Sequence, residues 1–67
     1  MYKTYAYVIR RELGGRETRT NIGEKTHSCM YYVNRYCASM ARKYSNRWNI
    51  LYVDLYEDGE YKYTSMF

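Results

Sequence analysis

Four carboxylates, Asp54, Glu57, Asp58 and Glu60, crowd one short stretch of the chain, and a single histidine and two cysteines complete its chemically versatile side chains. Clustered carboxylates can divide acid and base roles or hold a hard cation. Here they bracket Asp58-Gly59, and tight turns recruit Asp because it tolerates left-handed backbone and bonds its own main chain. His27 has no second imidazole and no Ser-His-Asp companion, so it reads as a solvated or capping residue rather than a base. Cys29 and Cys37, eight positions apart on one expected helix, would lie about 12 Å apart, too far to bridge. Without a Cys-x-x-Cys or Cys/His cluster they read as small apolar residues in a reducing compartment. The expectation is a protein without catalytic residues, metal, cofactor or small-molecule substrate.

The elements that would position these groups follow from periodicity. Thr4 to Arg11 alternates β-branched and aromatic residues with others and runs into Gly14-Gly15, the pattern of a strand entering a hairpin. A three-residue loop, Leu13-Gly14-Gly15, opposes Arg11 to Glu17 and Glu12 to Arg16, and these opposite charges favour it over a two-residue turn. That register sets Ile22 beside Ala6 and Thr20 beside Val8. Gly23 is expected to break the second strand. Thr26 or Ser28 can then cap a helix ending near Tyr44, with Asn46 as a left-handed stop. Its apolar stripe comprises Cys29, Met30, Val33, Cys37, Met40, Ala41 and Tyr44, while His27, Tyr31, Asn34, Arg35, Ala38 and Arg42 look outward. Trp48 to Tyr56 and Tyr61 to Phe67 form a second hairpin about Asp58-Gly59, opposing Tyr56 to Tyr61, Asp54 to Tyr63, Tyr52 to Ser65 and Ile50 to Phe67.

The fold class is therefore α+β over a single domain, residues 1–67: one helix on one face of a four-stranded, mainly antiparallel sheet, a ββαββ, β-grasp-like layout. Strand orders 2-1-4-3 and 2-1-3-4 both satisfy the connections, and the apolar third strand favours the second.

Because side chains alternate across a strand, parity sorts the sheet residues into two sets. Ala6, Val8, Ile22, Leu51, Val53, Leu55 and Met66 match the helix stripe and should form the core with it. Tyr5, Tyr7, Ile9, Trp48, Ile50, Tyr52, Tyr56, Tyr61, Tyr63 and Phe67 fall on the other face, which one helix cannot also cover. An uncovered aromatic patch on the order of 500 Å² marks an interface, and Tyr and Trp are frequent contact hot spots. Tyr5, Tyr7, Trp48, Tyr52, Tyr56, Tyr61 and Tyr63 are the candidate protein-binding residues. A Tyr-clad open face with wet hydroxyls and no partner, or a core with the two faces exchanged, are the competing readings.

Charge divides along the chain. Residues 1–50 carry ten basic and three acidic side chains, residues 51–67 one and four. Arg10, Arg11, Arg16 and Arg19 gather on the first hairpin as candidate electrostatic contacts. Beside an aromatic sheet they suit either a protein partner, which includes a second copy of the chain in a homodimer, or single-stranded or duplex nucleic acid. Asp54 amid the tyrosines opposes phosphate. The outer helix face, with Tyr31, Arg35 and Arg42, is a second surface suited to an acidic partner or a nucleic-acid groove, although a solvated helix face has the same composition. No run of 18 apolar residues and no charged-then-apolar leader occurs, so neither a membrane partner nor a signal peptide is expected.

In size, cysteine usage and hairpin-helix-hairpin layout the chain resembles small phage- or mobile-element-encoded inhibitors, including some anti-CRISPR proteins. The resemblance implies a stoichiometric binder of a host complex in the host-cell cytoplasm, and it carries no residue roles.

Overall fold

A computed structural model describes all 67 residues. The order is β1 (Tyr2–Arg11), β2 (Glu17–His27), α1 (Met30–Tyr44), β3 (Asn49–Glu57) and β4 (Glu60–Met66). The strands form one fully antiparallel sheet in the order β2-β1-β3-β4. This is the ββαββ, α+β arrangement expected, with the apolar third strand inside the sheet.

The core forms where the aliphatic parity set meets α1. Ala6, Val8, Leu51, Val53 and Leu55 alternate inward from β1 and β3 and bury against Val33 and Cys37 of α1. Tyr2, Ile22, Met30, Met40, Ala41 and Tyr44 close its margins. Removal from water pushes the Cys37 thiol pKa up, in keeping with a cysteine that packs as an apolar residue. Only nine residues are buried, so packing outside this core must contribute to holding the sheet together.

The first hairpin has the three-residue loop: the Glu12 N–H donates to the Arg16 carbonyl at 2.7 Å, and the Gly15 N–H to the Glu12 carbonyl at 3.2 Å. Gly14 and Gly15 both take positive φ, 89° and 82°, where a Cβ would be strained. Arg11 faces Glu17 and Val8 faces Thr20 as expected, but Ala6 faces Gly23 rather than Ile22. Ile22 is the extra residue of a β-bulge between the Tyr7–Asn21 and Ala6–Gly23 pairs. The bulge carries the strand through Gly23, which does not break it, and pairing continues to Tyr2–His27.

That extension moves the helix start. Thr26 lies inside β2, and α1 begins at Met30 after an extended Cys29 whose side chain makes no capping bond. At the other end Ser45, also extended, donates its N–H to the Ala41 carbonyl at 2.9 Å. Asn46 does not take the left-handed conformation. Instead its Oδ1 accepts from the N–H groups of Trp48 at 2.8 Å and Asn49 at 3.1 Å, an Asx turn that feeds the chain into β3.

The second hairpin turns at Asp58 (φ 51°) and Gly59 (φ 84°), and Tyr56 faces Tyr61. Past that pair a second bulge makes Lys62 the extra residue, so Leu55 faces Tyr63, Asp54 faces Thr64 and Tyr52 faces Met66. The Phe67 N–H donates to the Leu51 carbonyl at 2.9 Å. One added residue reverses parity for the rest of β4. Tyr63 and Phe67, expected among the open-face aromatics, therefore stand on the helix side, and Met66 stands on the open side rather than in the core. α1 packs across β3, β1 and β2 but not onto β4. A groove of about 140 Å³ remains between Val33, Cys37 and Ala38 on one bank and Tyr63, Ser65 and Phe67 on the other.

Candidate protein-binding face

The sheet face opposite α1 is built by the odd residues of β1 and the even residues of β3, and no other element covers it. Tyr7 and Tyr52 are directly paired across the strands, and their rings stack with centroids 5.3 Å apart and planes inclined by 8°. From β2, on the other side of β1, Arg19 lays its guanidinium carbon 3.7 Å from the Tyr7 centroid. One pair further along, Tyr56 meets Tyr5 edge-to-face at 5.2 Å and Tyr61 at 5.6 Å. The Lys3 ammonium lies 5.3 Å from the Tyr5 centroid. These rings pack sideways on one another. Tyr5, Tyr7, Tyr52 and Tyr56 are consequently half-buried rather than bare, while Tyr61, Ile50 and Trp48 are exposed.

Asp54 lies between Tyr52 and Tyr56 on β3 and faces Tyr5 on β1 and Thr64 on β4. The Thr64 hydroxyl donates to its Oδ1 at 2.6 Å and shares a 2.7 Å bond with the Tyr61 hydroxyl. No Lys or Arg lies within ion-pair distance of Asp54; the four ion pairs of the chain are elsewhere. The Tyr7 hydroxyl pKa is raised, first by burial and then by the Asp54 carboxylate, with Arg19 opposing. Tyr7 is thus kept as a protonated donor.

The four hairpin arginines do not act together. Arg19 is drawn onto Tyr7, and Arg11 reaches Glu17 at 3.4 Å. Arg10 and Arg11 share a recess at the loop end of the first hairpin with Leu13, Arg47 and Trp48, and Arg16 is exposed. Trp48 is therefore at the basic end of the face, 62% exposed, with the Arg47 guanidinium 5.6 Å from its ring. Of the seven tyrosine and tryptophan candidates, five form the contiguous face, Trp48 stands at its rim, and Tyr63 lies on the reverse.

The other groups with chemical capacity are dispersed. Asp58 pairs with the Met1 amine at 2.8 Å and Glu60 with Lys62 at 3.7 Å, and the Glu57 carboxylate raises the Tyr2 hydroxyl pKa through a hydrogen bond. No three His, Cys, Asp or Glu side chains converge in a metal-holding group. His27, expected to look outward, is buried at the end of β2, with its Nε2 3.0 Å from the Thr4 hydroxyl and its ring 5.1 Å from Tyr36. The bulge at Ile22 turned it inward, and Gly23, an isolated glycine within a strand pattern, was the local signal for that bulge. The bonding of Asp54 to Thr64 was hidden, because it depends on the bulge at Lys62.

No family model, curated protein or solved structure matches the chain. No helix is long and apolar enough to cross a membrane.

Proposed function

We propose that this protein is a non-catalytic, stoichiometric binder that seats a protein partner on its open tyrosine face, an inhibitor or adaptor of the kind that small phage-encoded proteins exemplify. The observation that carries the reading is the stack of Arg19, Tyr7 and Tyr52. Both faces of the Tyr7 ring are in use within the chain, so at the centre of the surface Tyr7 offers its edge and hydroxyl instead of a flat π-face. Single-stranded nucleic acid binds aromatic sheets through free ring faces on which bases stack. A protein partner takes edges and hydroxyls readily, since a mixed apolar and polar tip is what makes tyrosine common in contact surfaces.

Asp54 specifies the partner further. A carboxylate without a cation at the middle of the face repels phosphate and, once covered, needs a charged donor from the other side. The partner accordingly brings an Arg or Lys to that point. A homodimer about a two-fold axis through the middle of the face would bring two such carboxylates together, which favours a different protein over a second copy. The two free thiols suit the reducing cytoplasm of a host cell.

Capture from a host lysate with the immobilised chain tests the reading. A protein should be retained after nuclease treatment, lost with Tyr7→Ala/Tyr52→Ala, and lost with Asp54→Lys. Retention that vanishes with nuclease, or that survives both variants in folded protein, overturns it. Light scattering on the eluted free chain, showing a dimer dispersed by Tyr52→Ala, would move the assignment to self-association.

A further inference from the structure

None of the seven acidic side chains lies between Lys25 and Ile50, a stretch that carries five cations: Lys25, Arg35, Arg42, Lys43 and Arg47. It spans the end of β2, all of α1 and the turn into β3. None of the five is in an ion pair, since the chain's four pairs involve the Met1 amine, Lys3, Arg11 and Lys62. Four of them instead lie near rings of their own segment. Lys25 is 5.5 Å from the Tyr36 centroid, Arg35 5.8 Å from Tyr31, Lys43 5.4 Å from Tyr44 and Arg47 5.6 Å from Trp48. Such contacts steady a long side chain without neutralising its charge.

Arg47 stands apart with Trp48 at the rim of the tyrosine face, but Lys25, Arg35, Arg42 and Lys43 form one continuous surface on the helix side of the molecule. A polar recess between the end of β2 and the start of α1 is lined by Lys25, Ser28, Tyr32 and Arg35, among others. A second runs along α1 past Arg35, Ser39, Arg42 and Lys43, and the two share Arg35 and Ser39. From Arg35 to Lys43 the cations span about 12 Å of helix axis, with the Ser39 hydroxyl halfway between. With Lys25 beside them, these side chains offer four unpaired cations, enough to meet four phosphates of a nucleic-acid backbone.

We propose that this helix surface binds the phosphate backbone of duplex DNA, with α1 lying along the major groove. Short side chains, Ala38 and Ser39, occupy the middle of the exposed row and allow close approach. A helix about 10–12 Å across matches the groove of B-form DNA, roughly 12 Å wide, whereas the corresponding groove of A-form RNA is too narrow. An acidic protein is a poorer fit, because between Arg35 and Lys43 the row holds only the small Ala38 and Ser39 and no large apolar side chain to form the desolvated centre of a protein contact, the exposed Tyr31 and Tyr32 standing at its N-terminal end. A lipid surface is poorer still, because nothing in the row can insert among acyl chains.

The test is fluorescence anisotropy of the whole protein with labelled 20-base-pair DNA of mixed sequence, titrated over a range of salt. Four phosphate contacts give a slope of log affinity against log salt near −3.6, a loss of roughly 150-fold between 50 and 200 mM. Arg35→Gln/Arg42→Gln/Lys43→Gln should flatten the slope to about −1, a loss of only about fourfold over the same interval. Tyr7→Ala/Tyr52→Ala should bind DNA as the parent does, so failure of the tyrosine-face reading and failure of this one are separable. Circular dichroism confirms that each variant is folded. The proposal is overturned by no DNA binding at 50 mM salt, by an unchanged slope in the helix variant, or by a slope that falls with Arg10→Gln/Arg11→Gln/Arg16→Gln instead. Tighter binding to duplex RNA, polyglutamate or anionic vesicles than to DNA also overturns it, naming the competing partner.

Discussion

Arg19 and Tyr7 are not direct cross-strand partners, yet the guanidinium carbon of the one sits 3.7 Å from the ring centre of the other. Arg19 faces Ile9 in the ladder and leans along the strand to reach Tyr7. Tyr52 then covers the remaining side of the ring from β3. Three strands are thereby tied on the face that α1 does not touch, in a protein whose conventional core is thin.

If that stack holds the sheet, its members must be energetically coupled. A double-mutant cycle on Tyr7→Ala and Tyr52→Ala, read by urea unfolding, should return a coupling of about 0.5–1.5 kcal/mol, and one on Arg19→Ala and Tyr7→Ala about 0.5–1 kcal/mol. Additive effects within about 0.3 kcal/mol in both cycles would show that the rings are neighbours without being partners.

Two glycines that look alike in the sequence should respond oppositely to alanine. Gly59 needs its φ of 84° to close the second hairpin, and an alanine there should cost about 1–2 kcal/mol. Gly23 lies in an ordinary strand conformation, where an added Cβ would meet only the Tyr36 hydroxyl oxygen at 3.7 Å, a normal contact. Gly23→Ala should therefore stabilise the protein by about 0.5 kcal/mol, because the unfolded chain loses freedom. Thermal melts of both variants check the pair, and a Gly23→Ala loss above 1 kcal/mol would return Gly23 to the role of a strand breaker.

That pair of glycines shows what was legible in the chain and what was not. Period-two alternation in Thr4–Arg11 and Trp48–Tyr56, the Asp58-Gly59 turn and the Arg11–Glu17 pairing are local, and they carried the hairpins and the two-faced sheet, while two strand orders stayed open and only the apolar third strand favoured the one observed. Bulges are different. Whether Ile22 and Lys62 are paired or extra depends on how the strands twist against α1 and one another; Gly23 points to the first bulge, but no residue type beside Lys62 announces the second. Each bulge reverses parity beyond itself, so the errors fall on His27 at one sheet edge and on Tyr63, Met66 and Phe67 at the other. Tyr5, Tyr7, Tyr52 and Tyr56, in strands that run unbulged between β1 and β3, fell where alternation put them.

His27 brings a pH dependence. Burial lowers its pKa below the ordinary 6.5, and Lys25 adds to the effect. The unfolded chain therefore binds the proton more readily, and stability rises with pH between the depressed folded value and 6.5. The contribution is complete above 6.5 and declines as pH falls below it, levelling off under the folded value. Urea midpoints at pH 7.5, 6.5, 5.5 and 4.5 should follow this course, with the decline weakened in His27→Gln. Thr4→Val, which leaves the buried imidazole without its hydroxyl partner, should cost about 1–3 kcal/mol at pH 7.5. An identical decline in His27→Gln would assign the pH dependence to the carboxylates instead.

Asp54 offers the most direct measure of the open face, because its charge is felt by a residue it does not bond. Asp54→Asn keeps an oxygen for the Thr64 hydroxyl and removes only the charge, so the fold and the Tyr56–Tyr61 contact should persist. The Tyr7 hydroxyl, held above the ordinary phenol value by burial first and this carboxylate second, should then titrate at a lower pH than in the parent while remaining above 10.0. Carbon-labelled tyrosine followed by NMR through the alkaline range reads the shift residue by residue. A Tyr7 titration indifferent to Asp54→Asn would place the carboxylate outside the tyrosine basin. It would also remove the reason for requiring a cation on the partner.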